Sequence, residues 1–162
     1  MARAGRPNKS APRLDDVIYN IQLGNLAEVE KYLPELGIDA SDGYLRTALL
    51  WATFYGSVSI LNWLLDNGAN ANHQDRNGYC ALHFAGQEKQ LACAQLLLQH
   101  GADLELADRH GNTPVWTALF NAKADFQLAN LYIQHGCNLD HVNLYQKTPR
   151  ELLDGFGWQP TN

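Results

Sequence analysis

The side chains able to do chemistry are six histidines (His73, His83, His100, His110, His135 and His141), three cysteines (Cys80, Cys93 and Cys137) and a scatter of carboxylates. A metal site needs three or four such groups at short, matched spacings, and covalent catalysis needs a nucleophile with a base beside it. Neither pattern occurs. The chain has no H-E-x-x-H, no C-x-x-C, no G-x-S-x-G, no phosphate-binding glycine loop and no carboxylates paired by an identifiable cleft. "LDD" at 14–16 and "ELAD" at 105–108 read more simply as helix-cap and turn residues. The expectation is a protein that is not an enzyme and uses no metal or cofactor, with a metal-dependent enzyme as the least favoured alternative.

The bulk properties narrow the class further. The 162 residues are 46% hydrophobic, enough for the core of one domain, and the net charge of -5 disfavours general attraction to nucleic acid or anionic membranes. It favours a basic partner instead. No apolar run approaches the roughly 20 residues of a membrane span, and "MARAGRPNKSAPR" lacks the apolar stretch of a secretory signal. Three cysteines are an odd number and lie far apart, which suits reduced thiols and a cytoplasmic location. Arg3, Arg6 and Lys9 surround a proline and could graze a DNA minor groove, but an untethered polar tail accounts for them.

What must position any functional residue is a repeated element. "WLLDNGANAN" (63–72), "LLLQHGADLE" (96–105) and "LYIQHGCNLD" (131–140) align on Gly68, Gly101 and Gly136, spaced 33 and then 35 residues apart. A second series begins at Thr47, Cys80, Thr113 and Thr148, spaced 33, 33 and 35. Thr47, Thr113 and Thr148 suit helix starts, where a hydroxyl accepts from a free backbone N–H. Ile60, Leu61, Leu64 and Leu65, then Cys93, Ala94, Leu97 and Leu98, form the apolar faces of later helices in each unit. The three glycines follow the last apolar turn, where a left-handed residue closes a helix. One such helix pair cannot bury both faces, so the units must stack.

"DRNGYCALHFA" (75–85) and "DRHGNTPVWTA" (108–118) are similar to the D-x-x-G-x-T-P-L-H-x-A opening of the ankyrin repeat. The resemblance covers Asp42 to about Leu153 well and Leu14 to Ala40 more loosely. It implies an all-α repeat solenoid, an ankyrin-type stack in which each unit is a β-turn finger followed by two antiparallel helices. The division it suggests is a flexible basic arm (1–13) before a repeat domain (14–162), the latter comprising an N-cap (14–40), repeats 41–74, 75–107 and 108–142, and a truncated C-cap (143–162). Gly43 stands two residues before the family's finger glycine, which predicts a longer or re-aimed first finger. Lys89 occupies an inter-helix turn that prefers glycine, a local strain of about 1 kcal/mol. "FNAKADFQL" adds two residues to the turn of the third repeat, and "ALFNAKADF" resembles the turns of bacterial stand-alone ankyrin proteins.

The same resemblance gives His83 a structural role, bonding finger backbone. His100 and His135, each just before a repeat glycine, are placed to meet the final helix carbonyls. His73, His110 and His141 lie on or beside fingers and are expected to face solvent or a partner. The three cysteines read as small buried side chains.

In such a stack the fingers and first helices line a concave side. Register transfers its exposed positions to Tyr44 and Arg46, to Arg76, Asn77 and Tyr79, to Arg109, His110 and Asn112, and to Leu144 and Tyr145. First-helix ends contribute Phe54 and Tyr55, Gln87 and Glu88, and Phe120 and Asn121. A solvated surface has little use for so many rings, whereas interface centres favour Tyr, Trp and Arg; sideways packing of the rings between repeats is the competing reading. Trp51 and Trp116 leave both readings open. The resulting expectation is a non-catalytic module that binds another protein. A more specialised form is an inhibitor or immunity protein that masks one toxin or enzyme.

Overall fold

The computed structural model describes residues 13–157, and these contain nine helices. The helices are α1 (Leu14–Gln22), α2 (Leu26–Leu36), α3 (Ala48–Phe54), α4 (Val58–Asp66), α5 (Ala81–Glu88), α6 (Leu91–Gln99), α7 (Pro114–Phe120), α8 (Gln127–Gln134) and α9 (Pro149–Phe156). The odd-numbered helices pack on one another in an inner row, and the even-numbered ones in an outer row. Most of the expected basic arm lies outside the described residues, as do residues 158–162. Arg13 instead caps the start of α1 and pairs with Asp15 at 2.8 Å.

Burial explains the two rows. Leu49, Leu82, Val115 and Leu119 of the inner row, and Leu33, Leu61, Leu64 and Leu97 of the outer, are fully buried between the layers. Removing each from water stabilises the stack by about 1.5–3 kcal/mol. Gly68, Gly101 and Gly136 have φ of 81°, 76° and 80°, the left-handed conformation expected after the last apolar turn. The following amides then return to the helix, as in Ala69 N–H to the Leu64 carbonyl at 3.0 Å. Thr47 and Thr148 cap α3 and α9 as their sequence positions predict, accepting from Leu50 and Glu151. Thr113 does not: its hydroxyl is buried without a partner, and nothing in the structure explains this.

Each finger is organised by one carboxylate or amide oxygen at its base. Asp42 Oδ1 accepts from the N–H groups of Tyr44 and Arg46, Asp75 from Asn77 and Tyr79, Asp108 from His110 and Asn112, and Asn143 from Tyr145 and Lys147. Neighbouring fingers are joined at their tips. Arg76 N–H donates to the Tyr44 carbonyl at 2.9 Å, Arg109 to Asn77 at 2.9 Å and Leu144 to His110 at 3.0 Å. A second ladder runs along the outer turns, where Asp39, Asn72 and Glu105 accept from the amides of Asn70, Asp103 and Asn138.

The first finger is no longer than the others, contrary to the expectation from Gly43. Asp42 sets its register, so the left-handed position falls on Leu45 (φ 61°), where the next two fingers carry Gly78 and Gly111. Lys89 is left-handed as anticipated (φ 57°), and its Nζ donates to the Ala122 carbonyl at 2.9 Å. The two effects oppose each other. Lys89→Gly relieves about 1 kcal/mol of backbone strain and loses a hydrogen bond of about the same size, so its stability should match wild type within about 0.5 kcal/mol. Lys89→Met keeps the strain and should cost about 1 kcal/mol in urea unfolding. A Lys89→Gly protein more stable by the full strain energy would show that the bond contributes nothing.

Candidate protein-binding surface

Two hollows lie side by side on the finger and first-helix side. The first, of about 250 Å³, is lined by Arg46, Phe54, Asp75, Asn77, Tyr79, Phe84, Gln87, Arg109 and His110. The second, of about 310 Å³, is lined by Tyr79, His110, Asn112, Trp116, Thr117, Phe120, Asn121, Asn143 and Tyr145. Tyr79 and His110 form a shared wall, so the two make one furrow. Of the residues singled out by register, Tyr44, Tyr55, Arg76, Glu88 and Leu144 line neither hollow.

The rings divide into packed and presented sets. Trp51, Phe54, Tyr55 and Phe84 contact one another edge-on or stacked with centroids 5.1–6.1 Å apart. Tyr79 stacks on His83 at 5.0 Å and meets Phe84 edge-on at 5.5 Å. Phe54, Tyr79 and Phe84 of this set line the first hollow, and all six rings are half-buried or buried. Sideways packing between repeats therefore holds for Phe54, against Phe84 of the next unit, while the ring contacts of Tyr55 and Tyr79 stay within their own units. By contrast Phe120 is 70% exposed, Tyr145 65% and Tyr44 62%. Trp51 is tied to the first finger by Nε1–H donating to Asp42 Oδ2 at 3.1 Å.

Register alone did not select Asp75, Phe84, Thr117 or Asn143, although they line the furrow. Phe84 was legible: it stands 33 residues after Trp51 in the repeat series. Trp116 stands 33 residues after His83. The third repeat thus places an indole on the furrow where the second has a buried imidazole.

The histidines and cysteines serve the frame. His83 Nε2 meets the Asn112 carbonyl at 2.9 Å, and its Nδ1 accepts from Cys80 N–H at 3.2 Å. His100 and His135 reach the carbonyls of Leu96 and Leu131 at 3.0 and 2.9 Å, as expected. His73 and His141 depart from expectation, each ring bonding the preceding finger, at the Leu45 and Gly111 carbonyls. His110 does face the furrow, stacked on Tyr145 at 5.9 Å. Cys80 Sγ lies 3.1 Å from His83 Nδ1, a separation that suggests a thiolate–imidazolium pair. Burial opposes it on both sides, pushing the Cys80 thiol up to about 11 and the His83 imidazole below its ordinary value. Burial likewise pushes Cys93 up to about 11 and Cys137 up to about 12, so all three remain thiols at neutral pH. Among the described residues no group of three or more His, Cys, Asp or Glu could hold a metal ion, and no helix is long and apolar enough to cross a membrane.

The sequence profile described as "Ankyrin repeats (3 copies)" matches residues 17–108 and again 49–143. The chain belongs to the ankyrin-repeat family. Ankyrin repeats are generally protein–protein interaction modules, and the family is typically non-catalytic. The chain is similar to serine/threonine-protein kinase 12 of Arabidopsis thaliana, 30% identical over 68% of this chain and 23% of that protein. The ankyrin repeat, SAM and basic leucine zipper domain-containing protein 1 of Ovis aries is 36% identical over 59% of this chain and 21% of its own. The 26S proteasome non-ATPase regulatory subunit 10 of Dictyostelium discoideum is 33% identical over 55% of this chain and 40% of its own. The chain thus spans no more than 40% of the length of each.

Proposed function

We propose that this ankyrin array binds a segment of another protein along the furrow, without chemistry and in an intracellular setting. The observation that carries the reading is the exposure of Phe120 and Tyr145, which line the second hollow together with Trp116. Large rings left exposed to water are what interface centres supply. The packed rings beneath give the surface rigidity, so little ordering accompanies association.

Phe120→Ala combined with Tyr145→Ala removes apolar area from two exposed positions and should leave helicity and unfolding midpoint unchanged. Affinity for a partner isolated with the wild-type protein should fall about 10- to 100-fold by titration calorimetry. Equal affinity with an intact fold would place the interface elsewhere.

A second reading, an inhibitor or immunity protein masking one toxin or enzyme, draws on the net charge of -5, which suits a basic target. It requires one tight stoichiometric partner whose own activity disappears in the complex.

A further inference from the structure

We infer that the furrow selects an extended, acidic partner segment: a carboxylate side chain enters the first hollow and a large apolar side chain enters the second. The inference rests on the furrow being the binding face. The expectation of a basic partner came from the charge of the whole chain, but contact is governed by charges within about one Debye length, roughly 8–10 Å. Locally the first hollow carries two arginines to one carboxylate.

Arg46 and Arg109 border the first hollow. Arg46 Nε donates to Asp75 Oδ2 at 3.2 Å, and its guanidinium carbon lies 5.6, 5.2 and 5.4 Å from the ring centroids of Tyr44, Trp51 and Phe84. That box fixes the guanidinium in place. Arg109 is oriented by its own Nε, which donates to His110 Nε2 at 3.1 Å. The terminal nitrogens of both side chains make no hydrogen bond among the described residues, leaving donors suited to a carboxylate.

The fingers also carry carboxylates, and these decide the sign. Asp75 and Asp108 are buried, and each accepts from two backbone N–H groups of its own finger. Asp108 is bonded within its own finger, whereas Asp75 also pairs with Arg46, so the unbalanced positive charge beside the hollow is that of Arg109. The guanidiniums are what the hollow presents. Next to it, Trp116, Phe120 and Tyr145 make the second hollow apolar. The hollows belong to successive repeats, and neighbouring helices pack about 8–10 Å apart, close to three residues of extended chain at about 3.3 Å each. The apolar side chain should therefore fall about three positions from the acidic one.

The test is selection of random linear peptides of about twelve residues, displayed on phage, against the full chain. Expected is enrichment of Asp or Glu about three positions from Leu, Met, Phe or Trp, with binding of a synthesised winner weakening as salt rises. Arg109→Gln should weaken that peptide about tenfold or more, and Arg46→Lys, which keeps the charge but not the fork, should also weaken it. Lys31→Gln, an equal charge loss on α2, should leave it unchanged. Basic or uncharged winners, no enrichment, binding only of phosphorylated peptides, or equal losses in Lys31→Gln and Arg109→Gln would each overturn the inference. Failure of the furrow reading itself looks different: acidic winners that bind undiminished to the Phe120→Ala, Tyr145→Ala protein.

Discussion

Tyr132→Ala should destabilise the fold by about 4–6 kcal/mol, the largest single effect expected of any side chain in the stack. Tyr132 is fully buried in α8, and its hydroxyl donates to the Leu82 carbonyl of α5 at 2.8 Å, across 50 residues of sequence. Truncation removes the ring, leaves a cavity and deletes that hydrogen bond; aromatic-to-alanine changes alone cost about 3–5 kcal/mol, and the bond adds about 1. Tyr132→Phe separates the two contributions. It keeps the ring and should cost only about 1–2 kcal/mol in urea or thermal unfolding. Equal losses in the two variants would mean that the hydroxyl, not the filled volume, holds α8 to α5. The ring occupies the repeat position of Leu64 and Leu97.

The second large effect is at His83. His83→Ala should cost about 3–4 kcal/mol near neutral pH. It leaves the Cys80 N–H buried without a partner, about 1–3 kcal/mol, and opens a cavity beneath Tyr79. The Asn112 carbonyl is less affected because it still accepts from the Asp108 amide. The effect should also depend on pH, with a definite sign. Burial holds the folded imidazole below its ordinary value of 6.5, so in acid the unfolded chain binds a proton that the folded chain does not. The stabilisation is full above about pH 6.5 and is lost as pH falls through the folded value. Wild type should therefore lose stability between pH 7.5 and about 5.5 by an amount that His83→Ala lacks, and the gap between the two proteins should narrow in acid. A gap that widens would show that the charged ring is the one the fold prefers.

The stack was legible because the constraint that makes it is periodic. Gly68, Gly101 and Gly136 each close a helix in the same left-handed conformation, and a conformation few residues adopt leaves a strong mark on the sequence. The first finger was misread for the same reason in reverse. Gly43 drew the eye, whereas the tip is set by hydrogen bonds to Asp42, and Leu45 carries the strained conformation without any glycine to announce it. The furrow was legible as a set of positions but not as a set of roles. Phe54 and Phe120 fall at the same place in the repeat, yet one ring is wedged among Trp51, Tyr55 and Phe84 while the other stands in solvent. What separates them is the neighbour at that height in the stack, which a single repeat does not reveal. The histidines show the same limit. His73 and His141 sit one repeat's turn away from the carbonyls they bond, so their partners become visible only when the coils are superposed in space.

The tip-to-tip bonds from Arg76, Arg109 and Leu144 have a bearing on how such a protein can change in size. Every joint uses a main-chain donor and a main-chain acceptor offered from the same height, and neither depends on which amino acid stands there. A duplicated 33-residue block inserted at any of these joints would find a vacant half-bond on each side and supply the complement of both. The array can thus be lengthened by copying whole blocks, while the surface offered at each step is altered by exchanging a few outward side chains, two changes that do not interfere with one another.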